Sequence, residues 1–141
     1  DHAGMPGMAL PGNAMGVSEG AASWVYIVGV SAAKLGDMAT AEAAEAQLKA
    51  FRERAAAGPN AYAARPHAIR EQELGAIIRW AKGQKDEALA FAKRATEIEV
   101  TMAAPSGPPE PIKPAFELYG ELLAEAGRDK DAAAAFEQAL L

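Results

Sequence analysis

Cysteine is absent from the 141-residue chain, histidine occurs twice, and aromatic residues make up 6% of it. Without cysteine there is no disulfide, no thiol nucleophile and no thiolate-ligated zinc, while the redox compartment stays open. Basic residues are outnumbered, with 14 Lys and Arg against 19 Asp and Glu and a net charge of -5, and they form no cluster. Phosphate recognition needs a local surplus of cations, so nucleic acid is excluded as a partner. The longest apolar run, Ala21 to Leu35, is broken by Ser23, Gly29, Ser31 and Lys34, too short and interrupted for a membrane span. No signal peptide is visible, and the start at Asp1 without an initiator methionine suggests processing or a fragment of something longer. No glycine-rich loop follows a strand and no Ser or Thr stands in a nucleophile-elbow context, so the chain is expected to have no enzymatic activity.

Alanine, by contrast, is abundant, at roughly a quarter of the chain. Much alanine with few aromatics favours helices packed through small side chains and gives an all-α class. The length suits one domain. Residues 1–17, rich in Gly, Pro and Met, read as a flexible arm, and 18–141 as a helical domain with units at about 18–57, 66–102 and 112–141. Six helices are expected. The first runs from about Ser18 to Leu35, the second from Met38 to Ala56, and the third opens at Pro66 and stops before Gly83. The fourth spans about Lys85 to Met102, the fifth opens at Pro114, and the sixth runs from Asp129 to the end. The Ala104-Pro-Ser-Gly-Pro-Pro-Glu-Pro segment between the fourth and fifth reads as a semi-rigid spacer.

The units share a pattern. Gly29, Gly36 and Ala41, then Ala76, Gly83 and Ala88, then Gly120, Gly127 and Ala132 recur with the same internal spacing of seven and five residues. Small residues on both helices of an antiparallel pair permit close backbone approach, and a glycine between them ends the first helix in a left-handed turn. The last unit carries Phe116, Tyr119, Gly120 and Leu123, followed by Ala132 and Phe136. In the first, Val28, Gly29 and Ala41 match, with Glu45 where an aromatic belongs; the second keeps Ala76 and Ala88 but places Phe91 one residue early. This pattern resembles the tetratricopeptide (TPR) repeat, over roughly residues 21–141. The Pro-Glu-Pro-Ile-Lys-Pro-Ala entry and the long linker are similar to a group of bacterial TPR-like proteins without an assigned activity. The units here lie 47 and 44 residues apart, against about 34 in that family.

The resemblance implies antiparallel helical hairpins stacked as a short TPR-like α-solenoid, a scaffold for protein–protein interaction. The first helix of each unit would line a concave face, making a groove of Tyr26, Val30, Arg70, Glu73, Ile77, Trp80, Glu117 and Glu121. Two aromatics with an acidic rim suit a peptide or helix carrying apolar and basic residues. A basic clamp for a C-terminal carboxylate is not matched, because Glu73, Glu117 and Glu121 have the wrong sign. The sequence stops at Ala139-Leu140-Leu141 with no polar capping helix, so the last helix is expected to continue into further chain or to dock on a second copy as a homodimer.

A second function class is metal handling. Asp1-His2-Ala-Gly-Met5-Pro-Gly-Met8 resembles Met/His segments of copper-handling proteins: thioethers and imidazole select Cu(I), and His2, Met5 and Met8, with Met15, are the candidate ligands. His67 and Glu71, four apart on a helix, read as a solvent-facing pair that steadies a helix start. Glu42 with Glu45, and Glu117 with Glu121, read as solvated faces.

Overall fold

The structure, a computed structural model, describes residues 19–102 and 113–141. Its regular secondary structure among these residues is all helical: α1 (Glu19–Leu35), α2 (Met38–Ala56), α3 (Ala64–Ala81), α4 (Lys85–Glu99), α5 (Ala115–Glu125) and α6 (Asp129–Ala139), with a 3-10 turn at Ala61–Ala63.

Each hairpin turns through the same device. Gly36, Gly83 and Gly127 have φ of 83°, 80° and 80°, a left-handed conformation that side chains disfavour. The amide after each glycine reaches back to a helix carbonyl: Asp37 N–H donates to Ala32, Gln84 N–H to Arg79 and Arg128 N–H to Leu123, all at 2.8 Å. These are three Schellman closures, which satisfy carbonyls that a helix end otherwise leaves bare. In the first turn Asp37 also caps α2, accepting from the Thr40 amide and hydroxyl at 3.2 and 2.7 Å.

Three boundaries differ from the sequence reading by two residues or more, α6 among them, which closes at Ala139 as the Leu140 and Leu141 amides donate three residues back, to Glu137 and Gln138. Helix α3 begins at Ala64, two residues before Pro66. A proline anywhere in the first turn is tolerated, because those amides lack intrahelical partners. Helix α4 ends at Glu99 and not at Met102, because Thr101 and Met102 donate their amides three residues back, to Ile98 and Glu99, and the Thr101 hydroxyl donates to the Ile98 carbonyl at 2.6 Å. Tight bonds of that kind close a helix.

Packing follows chain order. Every helix lies against the next, α1 also lies against α3 and α3 against α5, and no other pair of these helices packs together. One buried cluster joins α1, α2 and α3 through Val25, Ala44, Leu48, Phe51, Leu74 and Ile78; another joins α3 to α6 through Ala76, Leu89, Ala92, Leu118, Leu122 and Leu123. Close approach explains the glycines inside helices. A Cβ at Gly29 would stand 2.6 Å from a Leu74 methyl and 2.9 Å from the Ala44 Cβ, and one at Gly120 would stand 2.7 Å from the Phe136 ring. In the middle hairpin the contact falls at Gly75 and not at Ala76, where a Cβ would meet Phe91 at 2.5 Å. Phe91 is therefore not misplaced: Gly75 to Phe91 and Gly120 to Phe136 are both sixteen residues, and the whole pair has moved one residue earlier.

Candidate functional site

Of the expected groove residues, three come together. Tyr26 on α1 meets Arg70 and Glu73 on α3, and all three are buried, Arg70 and Glu73 completely. The Tyr26 hydroxyl donates to Glu73 Oε1 at 3.1 Å, and Arg70 donates to the Ser23 hydroxyl at 3.3 Å. Both pairs are 47 residues apart, so equivalent positions of successive units touch. That spacing is the sequence signal for the cluster, and reading these residues as groove surface bypasses it.

Burial sets the chemistry of Glu73. Loss of solvent pushes its carboxyl up to about 8, with Glu99 adding to the rise and Tyr26, Lys113 and Arg70 opposing it. Its Oε2 makes no hydrogen bond. Burial also holds the Tyr26 phenol well above its usual value. The expected acidic rim is thus corrected at Glu73: the side chain is inside the protein and largely protonated at neutral pH. A buried carboxyl with a raised pKa next to a phenol is the environment in which acid–base groups are tuned, yet neither of the two described clefts reaches it.

The other expected groove residues sit elsewhere. Ile77 and Trp80 are half-buried, both packing on the second core cluster, and the Lys85 ammonium stands 5.4 Å from the Trp80 ring centroid. Glu117 and Glu121 share Lys113 at 3.5 and 2.9 Å; burial opposes the Lys113 charge, but the Glu121 and Glu117 carboxylates prevail and raise its pKa. Their acidity is partly neutralised within the chain.

His67 and Glu71 do not face solvent. Both are buried, the His67 ring packs edge-on to Phe51 at 5.9 Å, and Glu71 accepts two bonds from Arg52, at 2.5 and 3.4 Å. Glu42 and Glu45 likewise reach across from α2, to Lys82 and, at 2.6 Å, to Arg79. Sequence reasoning misses these three ion pairs because each joins residues of different hairpins. It also misses a 480 Å³ open cleft between α3 and α4, floored by Ala64, Ala68 and Ile98 and edged by Arg65, Gln72 and Arg94. Arg65 donates to the Thr101 carbonyl and Arg94 to Gln72.

His2, Met5 and Met8, the candidate copper ligands, lie outside the described residues, as does Met15. Among the described residues no three His, Asp or Glu side chains are placed to hold a metal ion, and no helix is long and apolar enough to cross a membrane. No family model, no curated protein and no solved structure matches the chain.

Proposed function

We propose that the chain is a non-enzymatic interaction module, three helical hairpins stacked in the TPR-like manner, which binds a peptide or helix of a partner protein or a further copy of itself. The observation that carries this reading is the order of packing: odd helices lie against odd helices of the neighbouring hairpins, and even helices only against their sequence neighbours. That is one-dimensional stacking, in which each unit leans on the next and extended surfaces remain for partners. The three identical glycine turns support it, since equal turns repeat equal hairpins.

Within this reading the burial of Tyr26, Arg70 and Glu73 narrows the binding surface to Ile77 and Trp80 with Glu117 and Glu121. A half-buried tryptophan on α3 and two half-exposed carboxylates on α5 would suit an amphipathic helix with lysine or arginine flanking its apolar face. The test is a titration of fluorescently labelled basic amphipathic peptides followed by anisotropy. Trp80→Ala is expected to weaken binding by about tenfold, roughly 1.4 kcal/mol, with helicity retained in circular dichroism. Binding that neither Trp80→Ala nor Glu121→Lys alters would remove this surface from consideration.

A further inference from the structure

The open cleft between α3 and α4 is built by those two helices and the turn after α4, with no residue of the other hairpins in its lining. Small side chains shape its floor. Ala64 and Ala68 lie one turn apart on the same side of α3, and Ile98 borders them from α4, so the floor is apolar and shallow. Helix α5 begins at Ala115, 44 residues after Glu71, so in repeat register residues 64–70 of α3 have no counterpart in that helix. This end of the second hairpin is therefore not where α5 stacks.

The edges carry the charge. Carboxylates are in surplus in this chain, 19 against 14 basic residues, and they pair with Arg52, Arg79, Lys82, Lys113 and Arg128. Among the described residues no carboxylate pairs with Arg65 or Arg94, the two cations of the cleft. Each is instead set in place by a ring and one hydrogen bond. The Arg65 guanidinium stands 4.4 Å from the Tyr62 ring centroid and donates to the Thr101 carbonyl at 3.1 Å. That of Arg94 stands 4.3 Å from the Phe91 centroid and donates to Gln72 at 3.0 Å. A guanidinium has five N–H donors, so these bonds orient the two side chains and leave most of their donors for a ligand. Glu97 is the one acid in the lining, which thus carries a local positive excess on an acidic chain.

We infer that this cleft is a second interaction surface, which takes an acidic amphipathic helix of a partner protein: its apolar ridge rests on Ala64, Ala68 and Ile98, and its flanking carboxylates pair with Arg65 and Arg94. Charge complementarity selects the occupant, since an apolar floor between two oriented arginines is matched by an apolar ridge between acids. A small-molecule site encloses most of its ligand, which an open cleft does not do. The sign is opposite to that of the partner proposed for the Trp80 surface. The cleft shares no residue with that surface, so the two stand or fall separately.

The test uses the full chain and a fluorescently labelled helical peptide with a leucine face flanked by glutamates, followed by anisotropy, beside its counterpart with lysine in place of glutamate. The glutamate peptide should bind, and Arg65→Gln and Arg94→Gln should each weaken it about fivefold, as loss of a partly exposed ion pair does. Glu97→Gln should tighten it about twofold, a change of sign that unfolding cannot produce. Ala68→Leu fills the floor without altering charge and should weaken it at least about tenfold. Ala68 is half-buried, so helicity in circular dichroism should be retained; if it is lost, Ile98→Ser takes its place. Trp80→Ala should leave the glutamate peptide unaffected, which separates failure of this cleft from failure of the Trp80 surface. A glutamate peptide that does not bind overturns the inference, as does binding indifferent to both arginine substitutions. So does a lysine peptide weakened by Ala68→Leu as strongly as the glutamate one. Self-association of the wild type in sedimentation velocity, abolished by Arg65→Gln with Arg94→Gln, would place a second copy in the cleft and likewise overturn it.

Discussion

Between the first and second hairpins the chain buries Arg70, Glu73, Glu71, His67 and Tyr26 and adds ion pairs from Arg52, Arg79 and Lys82. Between the second and third it buries Ala76, Leu89, Ala92, Leu118, Leu122 and Leu123, and Glu99 accepts from the Ala115 amide at 2.9 Å. Both junctions bury an apolar cluster, and the first adds a buried polar network to it. Burial of aliphatic side chains stabilises without regard to exact partner, at about 25 cal/mol per Å². Buried polar groups stabilise little or nothing net, and leave a cost wherever one is misaligned. The polar groups of the first junction consequently fix which positions meet, Tyr26 with Glu73 and Ser23 with Arg70, beside an apolar cluster of Leu48, Phe51, Leu74 and Ile78, whereas the buried cluster of the second is apolar throughout.

The largest effect that can break this comparison is loss of the aliphatic wedge. Leu74 is fully buried in the polar junction and Leu118 is 4% exposed in the apolar one. Either leucine cut to alanine should cost about 3 kcal/mol, within a usual range of about 2–5. Urea denaturation reads the difference. If the polar network held the first junction by itself, Leu74→Ala would be nearly silent while Leu118→Ala was not.

The next effect is pH-dependent and belongs to the first junction alone. Glu73 has its carboxyl raised from 4.5 to about 8 by burial, so the folded protein binds a proton that the unfolded chain has released. Its contribution is fully present below about 4.5, declines as pH rises, and is lost on passing through about 8. Between pH 5 and 8.5 the loss should be of the order of a few kcal/mol, with the attraction of Lys113 and Arg70 for the charged form already contained in that shift. Glu73→Gln imitates the protonated acid. It should match the wild type at pH 5, exceed it at pH 8.5, and flatten the profile of denaturation midpoint against pH. A profile equally steep in Glu73→Gln would assign the dependence to another group.

How far these differences could be read from the sequence depends on the range of the interaction. Helix class, the six helices and the three left-handed glycines follow from local rules, and α2 agrees with the sequence reading at both ends. Gly75 does not follow. Alignment on small residues selects Ala76, whereas the space is set by where the Phe91 ring lands, with Arg79 and Arg94 guanidinium groups 4.2 and 4.3 Å from its centroid. Tyr26, Arg70 and Glu73 are named by sequence but assigned to the wrong environment, because polarity and concave placement suggest solvent and only packing shows burial. Their spacing of one repeat was the available clue: residues at the same position of adjacent units are the ones that touch.

The smallest expected effect separates the ion pairs of the first junction from one another. Arg52 and Glu71 retain 33% and 11% side-chain exposure, Arg79 and Glu45 24% and 19%, and Lys82 and Glu42 36% and 51%. Only the last pair has both partners well solvated. The Lys82 hydrogen bond draws the Glu42 carboxyl below its usual range, followed by the attraction of the Lys82 charge, but water competes for both ends and salt screens what remains. Glu42→Gln should therefore leave the urea midpoint unchanged at physiological salt, with at most a small decrease at low salt. Glu71→Gln should lower it at both, since it sets an amide N–H donor against the Arg52 guanidinium at a side chain that retains only 11% exposure. If instead both substitutions respond to salt alike, the first junction is held by surface electrostatics, and its contrast with the second lies in solvent exposure and not in a buried polar network.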